Sequence, residues 1–285
     1  MARLTIASLA LGAAFLVALT APAQACGTPD SICTVASGEY RLAMPENRGG
    51  TVPAVVFLHG WGGSARGTMR NRAMMKLLSA RGYALIAPEG LPGHGNHGGK
   101  QKNWSVRDGA TYKRDDIAFL REVLADAATH GVDTDRVLLA GFSRGASMVW
   151  DVACHAPDLA RAYAPVSGAF WLPLPKGCAG PVDLFHTHGW ADRVVPLEGR
   201  SVAGGRLTQG DTFASLAILR AALGCRQRMP DRTETLPGTI LLRHWESCKS
   251  GRIDLMLHPG GHRVPKGWLP RALDWFEARL AEDAT

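Results

Sequence analysis

Val137-Leu138-Leu139-Ala140-Gly141-Phe142-Ser143-Arg144-Gly145-Ala146-Ser147 is the stretch whose reading decides the fold. Val137 to Ala140 is short and continuously apolar, with Asp135-Arg136 before it and small residues after it. That pattern belongs to a strand buried on both faces. Beyond it, Met148, Val149 and Val152 have helical spacing. A strand that turns sharply into a helix across Gly-x-Ser-x-Gly holds the serine on a strained backbone, its hydroxyl above the sheet. Glycines at 141 and 145 let strand and helix pass close together. The Arg144 amide then stands at a helix N-terminus, where developing negative charge is stabilised. Ser143 is therefore the candidate nucleophile.

Outward from this stretch, short apolar runs alternate with helical patterns. Strands are predicted at Gly38 to Met44, Thr51 to Leu58, Tyr83 to Pro88, Ala162 to Val166, Val182 to His186, Thr239 to Trp245 and Ile253 to Leu257. Helices are expected from Ser64 to Ala80, from Asp115-Asp116 to a stop at Gly131, near Asp211 to Leu223 and around Leu269 to Leu280. Gly90 to Lys102 reads as a glycine-rich loop. This alternation predicts α/β architecture: one domain with a mostly parallel central sheet covered by helices on both faces.

The N-terminus reads as a secretory leader. Arg3 is the one charge in residues 1–25, Leu4 to Thr20 is apolar, and Ala23-Gln24-Ala25 offers a small-x-small cleavage site. The expected division is a signal peptide at 1–25 and a catalytic domain at 26–285, secreted or periplasmic, with no stable membrane insertion after cleavage. Lipid anchoring at Cys26 is disfavoured, because Gln24 and Ala23 depart from the residues a lipobox needs. All six cysteines (Cys26, Cys33, Cys154, Cys178, Cys225, Cys248) follow the leader. An even number in an exported chain predicts three disulfides, and joining nearest neighbours along the chain gives 26–33, 154–178 and 225–248.

The chain carries 32 Lys and Arg against 25 Asp and Glu, net +7, or +6 without Arg3. The basic residues are dispersed, with no aromatic-interleaved run, which excludes a nucleic-acid footprint. His94, His97, His186 and His188 come without a Cys or carboxylate set at metal-site spacing, so no metal is expected. Oligomeric state is left open.

A serine hydroxyl needs a base, and the base needs a group that fixes its tautomer. Asp192 follows the 182–188 run in His188-Gly189-Trp190-Ala191-Asp192, and His262 follows the 253–257 run through Pro259-Gly260-Gly261. These are the candidate acid and base. The turn His59-Gly60-Trp61-Gly62-Gly63 supplies the second oxyanion donor, assigned to the Trp61 amide beside that of Arg144. Trp61, Trp104 and Trp190, with Trp171, lie near predicted loop mouths and are candidates to line an apolar acyl pocket. Arg144 beside the nucleophile is also a candidate to select substrates with a free carboxylate.

Together, Leu58-His59-Gly60 with Gly63-Ser64, Asp115-Asp116, Gly131 to Val137, Gly141-Phe142-Ser143, His188-Gly189 with Asp192 and Val195-Pro196, Gly224-Cys225 and Gly260-Gly261-His262 resemble secreted esterases of the α/β-hydrolase superfamily. That group includes polyhydroxybutyrate depolymerases, feruloyl esterases and acetylxylan esterases. The resemblance runs from about Tyr40 to Phe276. It implies an α/β-hydrolase fold, a Ser143–His262–Asp192 triad, no cofactor, disulfides at 154–178 and 225–248, and a small or oligomeric ester substrate. Ala146 in place of a frequent Gly, and Arg263-Val264-Pro265 where a Trp commonly precedes Pro, depart from the pattern at positions that bear on substrate. Hydroxyalkanoate oligomers or small esters are the first expectation. Feruloyl or acetylxylan esters are the alternative, and a hydrolase-fold binding protein without catalysis is the non-enzymatic one.

Overall fold

A computed structural model describes residues 26–46, 49–93 and 100–283. The expected leader, His94 and His97 lie outside the described residues. In chain order the elements are β1 (Cys33–Val35), β2 (Gly38–Ala43), β3 (Val52–Leu58), α1 (Ala65–Met69), α2 (Arg72–Ala80), β4 (Ala84–Pro88), β5 (Leu91–Pro92) and β6 (Lys102–Asn103). Then come α3 (Asp116–Thr129), β7 (Val132–Phe142), α4 (Arg144–His155), β8 (Ala162–Val166), β9 (Asp183–Gly189), β10 (Arg200–Val202) and β11 (Leu207–Gln209). The chain closes with α5 (Thr212–Leu223), β12 (Arg232–Leu236), β13 (Ile240–Trp245), β14 (Arg252–His258) and α6 (Trp268–Asp283).

Ten strands form one sheet in the order β1-β2-β4-β3-β7-β8-β9-β14-β13-β12. The six central strands, β4 to β14, are parallel, and antiparallel strands flank them on both sides. Register aligns their carboxyl ends: Leu58 faces Gly141, Phe142 faces Val166, and Gly189 faces His258. Every loop leaving those ends therefore opens on one rim.

Both faces of the central strands are buried, which explains their unbroken apolar runs. In β3, Ala54, Val56 and Leu58 pack with Phe119 and Val123 of α3, Val149 of α4 and Leu219 of α5. Val55 and Phe57 turn to the opposite side, into a layer with Met74 and Leu78 of α2 and Leu273 and Phe276 of α6. α4 is buried along almost its whole length, Arg144 to Cys154, so it needs no polar face.

Four local departures from expectation have physical causes. The helix expected through Ala80 is broken: Asn71 accepts the Met74 amide as an N-cap, restarting the chain as α2. The ends of the 90–102 loop pair, Leu91 with Asn103. β7 begins at Val132, five residues before its apolar run, with a register shift against β3 between Val52 and Ala54. The hairpin β10–β11 and the edge strand β12 are polar and short or exposed, so no hydrophobic run announces them.

All three disulfides form, Cys26–Cys33, Cys154–Cys178 and Cys225–Cys248. They suit an oxidising compartment. No helix among the described residues is long and apolar enough to cross a membrane.

Candidate active site

Ser143 stands between β7 and α4 at φ 57, ψ −122, a conformation that costs energy in any residue with a side chain. Neighbours on every side hold it there. Its amide donates to Val166 O at 2.9 Å and its carbonyl accepts the Ser147 amide at 3.0 Å. A Cβ on Gly145 would fall 2.2 Å from Leu58 O, and one on Gly141 would fall 2.7 Å from the Gly145 carbonyl. Only glycines allow β3, β7 and α4 to converge so closely.

Asp192 follows β9 by three residues and His262 follows β14 by four. The two turns touch, since a Cβ on Gly189 would meet Gly260 O at 2.2 Å, and the Ala191 amide donates to Gly260 O at 3.2 Å. His262 Nδ1–H donates to Asp192 Oδ2 at 2.8 Å, and His262 Nε2 lies 2.9 Å from Ser143 Oγ. The Phe142 ring packs against the imidazole at a centroid distance of 4.7 Å. The remaining Asp192 oxygen, Oδ1, accepts the Val194 and Val195 amides at 2.8 and 2.9 Å. Burial opposes the Asp192 charge, but the His262 hydrogen bond and these amides outweigh it and hold the carboxylate below its usual range.

Behind Asp192 lie two buried histidines. His188 Nε2–H donates to Val195 O at 2.8 Å, so its Nδ1 is the acceptor for His186 Nε2–H at 3.1 Å. Burial pushes both below the ordinary histidine range, His186 far below, so both are neutral supports. His258 is buried as well, its Nδ1 accepting the Gly260 amide at 3.0 Å.

The turn after β3 lies against the serine, with a Cβ on Gly60 falling 3.3 Å from Ser143 Cβ. Within it, the Gly62 amide donates to Lys102 O and the Gly63 amide to Gly60 O, both at 2.9 Å. The Trp61 amide has no such acceptor among the described residues. The Arg144 amide is the first of α4 and has no intrahelical acceptor.

Above these groups opens a cleft of about 610 Å³ that includes Ser143 and His262. Trp61, Phe142, Trp171 and Leu207 give it an apolar lining, and β10 and β11 form part of its wall.

Two of the tryptophans expected in this lining are elsewhere. Trp104 is fully buried; its Nε1–H donates to His59 O at 2.7 Å and its ring packs on His59, so it braces the turn from below. Trp190, the residue after β9, is exposed and outside the lining. Trp61 and Trp171 do line the cleft.

Arg144 contributes to the cleft lining, but its guanidinium is engaged elsewhere. Its side chain is buried, with Nε donating to Asn103 Oδ1 at 2.9 Å, Nη2 to Asp108 Oδ2 at 2.8 Å and to the Tyr112 hydroxyl, and the guanidinium over the Trp171 ring. Its pairing with Asp108 makes the guanidinium a structural anchor beside the nucleophile.

Two groups of described residues bring metal-capable side chains together: Cys26, Asp126 and His130, and His244, Glu246 and Asp254. Cys26 is disulfide-bonded, and neither group lines the cleft. Sequence reasoning missed Gln209 and Ser147 in the cleft wall. Gln209 sits on a hairpin without a pattern, and Ser147 looked like a helix residue of no special kind.

Residues 43–210 match the family model described as Phospholipase/Carboxylesterase, a span that takes in Ser143 and Asp192 and stops short of His262. NocK of Nocardia uniformis subsp. tsuyamanensis, an esterase by name, is 30% identical over 252 residues, covering 80% of this chain and 69% of its own. Feruloyl esterase D of Neurospora crassa is 26% identical over 305 residues, 96% of this chain and 93% of its own. Among solved structures, an acetyl xylan esterase from Aspergillus awamori superposes with a TM-score of 0.63 at 17% identity, covering 84% of this chain and 93% of that one. The chain has the α/β-hydrolase fold and belongs to the phospholipase/carboxylesterase family, as a carboxylic ester hydrolase.

Proposed function

We propose that this is an exported serine esterase that cleaves carboxylic esters through Ser143, His262 and Asp192. The observation that carries the proposal is the line of two hydrogen bonds from Asp192 Oδ2 through the His262 ring to Ser143 Oγ. Asp192 fixes the tautomer in which Nδ1 keeps its proton, leaving Nε2 to accept the serine proton as Oγ attacks the ester carbonyl. The oxyanion that forms is held by the Trp61 and Arg144 amides. His262 then returns the proton to the departing alcohol, and the acyl-enzyme is hydrolysed by water that the same imidazole activates. No step requires a metal or cofactor.

Residues 1–25 are proposed as a cleaved leader and 26–285 as the catalytic domain, secreted or periplasmic. The Cys26–Cys33 disulfide argues against lipidation, because a bridged sulfur cannot also carry a thioether-linked lipid. Hydroxyalkanoate oligomers or small esters are the proposed substrates. The aromatic lining of the cleft and the feruloyl and acetyl xylan esterase names among the relatives favour a second reading, esters of plant polysaccharides. Comparing initial rates on hydroxybutyrate oligomers and on methyl ferulate separates the two. Equal rates of p-nitrophenyl acetate hydrolysis by the native chain and Ser143→Ala would defeat both.

A further inference from the structure

We propose that Arg200 is an anion receptor at the cleft, so that the preferred substrate is an ester whose acid part ends in a carboxylate, as in the half-ester of a dicarboxylic acid. This deepens the esterase reading above and rests on it.

Arg144 and Arg200 both line the cleft, and they differ in what neutralises them. Arg144 is buried against Asp108 at 2.8 Å. Arg200 is exposed, and among the described residues its guanidinium makes one hydrogen bond, Nε–H to Val194 O at 2.9 Å, and no ion pair. The acceptor is a neutral carbonyl, so the positive charge stays uncompensated and both Nη groups keep their N–H donors for a ligand. No Asp or Glu is among the described residues that line the cleft.

The backbone aims this charge. Across the hairpin Arg200 faces Gln209 and Val202 faces Leu207. Alternate residues of a strand share a face, and these four, one face of the hairpin, all line the cleft. The hairpin is braced on both flanks. Gly199 stands at φ 73, where a Cβ would fall 2.2 Å from Gln209 O, and Gln209 bridges Trp171 on the other side. The head of the side chain is held as well, because Val194, whose carbonyl takes the Nε–H, donates its own amide to Asp192 Oδ1 at 2.8 Å. The guanidinium is thus tied to the turn that carries the proposed triad acid, as a recognition element needs. Trp171, Val202 and Leu207 make the adjoining wall apolar, which suits a short methylene chain linking the reacting ester to a carboxylate that meets the guanidinium as a fork.

The test measures kcat/KM at about 50 mM NaCl for three matched pairs: monoethyl succinate against ethyl butyrate, monoethyl glutarate against ethyl pentanoate, and monoethyl adipate against ethyl hexanoate. In each pair a terminal carboxylate replaces a terminal methyl group. The native chain is expected to favour the acidic member of at least one pair by about three- to tenfold, the size of an ion pair at a partly walled, solvent-facing site. The responding length measures the reach from Ser143 to Arg200. That preference is expected to fall to within about twofold of unity at about 1 M NaCl, where exposed charges are screened. Arg200→Gln is expected to turn the preference to the neutral member of the pair, and Arg200→Lys, which keeps the charge, to retain it for the acidic one. Absence of preference for the acidic ester in all three pairs, or a preference that survives the glutamine variant or high salt, overturns the receptor. Equal loss in the lysine and glutamine variants overturns it too, since the effect would then lie in the bond to Val194 O. Hydrolysis without discrimination removes the receptor alone, whereas failure to hydrolyse any ester, p-nitrophenyl acetate included, removes the esterase reading with it.

Discussion

Arg144 Nη2 lies 2.8 Å from Asp108 Oδ2, both side chains buried, and this ion pair ties the residue after the nucleophile to the segment that follows β6. The backbone of Arg144 presents the amide assigned to the oxyanion, and its side chain is the handle that holds that amide still. Asn103, Tyr112 and the Trp171 ring complete the grip. Asp108 is correspondingly held below the usual carboxylate range: burial opposes its charge, but the Arg144 charge and hydrogen bond prevail.

Removing one partner of a buried pair leaves the other charge uncompensated. Asp108→Ala is expected to destabilise the fold by about 3–5 kcal/mol and to lower kcat more than it raises KM, because the loosened group is an amide serving the transition state. Thermal denaturation and steady-state kinetics on p-nitrophenyl acetate check both. Unchanged stability contradicts the anchoring role.

Asp192 receives hydrogen bonds from three donors, the Val194 and Val195 amides and His262 Nδ1–H. Asn has one acceptor oxygen and one NH2, so either orientation sets a donor against a donor. Asp192→Asn is expected to cut kcat by roughly 10⁴, with the histidine in the wrong tautomer, and to leave KM within a few-fold. A loss smaller than about tenfold would show that the carboxylate does not orient His262.

Asp151 lies buried in α4, accepting the Arg107 amide at 2.7 Å, and burial raises its pKa to about 7. The folded state thus holds a proton that the unfolded chain releases near pH 4. Between about pH 4 and pH 7 the folded state binds the extra proton, so stability falls as pH rises through that window. Asn keeps the acceptor and carries no charge. Asp151→Asn is expected to raise stability at pH 8, by up to about 4 kcal/mol, and to change it little at pH 4. Urea titrations at the two pH values read the difference, and an equal effect at both contradicts the burial argument.

Gly145 has no room for a methyl group, with Leu58 O 2.2 Å and His59 O 2.6 Å from where a Cβ would stand. Gly145→Ala must push α4 away from β3, shifting both Ser143 and the Arg144 amide. Activity is expected to fall on the order of 10²-fold or more, and thermal stability to fall with it. Native activity in this variant would mean that the elbow is looser than its geometry indicates.

The fold was legible because parallel strands buried on two faces must be apolar throughout, as Ala54 to Leu58 and Val137 to Ala140 are. The elbow was legible because its steric demand is local: Gly141 and Gly145 bracket Ser143 in the sequence as in space. Asp192 and His262 could be chosen because a parallel sheet brings the ends of β9 and β14 to the same rim as β7. The cleft wall was less legible. Arg200 to Gln209 gains its shape from pairing with itself and with Trp171, and a polar hairpin of that kind leaves no periodic signal. Four tryptophans look alike in a sequence. What separates Trp104 from Trp61 is whether the indole N–H finds a carbonyl inside the fold, as it does at His59 O.

Ser143 as the nucleophile is the premise of the proposed chemistry, and covalent labelling is its sharpest test. The native chain, treated with a fluorophosphonate and mapped by peptide mass spectrometry, is expected to carry one adduct, on Ser143, and labelling should vanish in Ser143→Ala and slow sharply in His262→Ala. An unlabelled native chain that nonetheless hydrolyses esters, or an adduct on a different serine, would contradict the account.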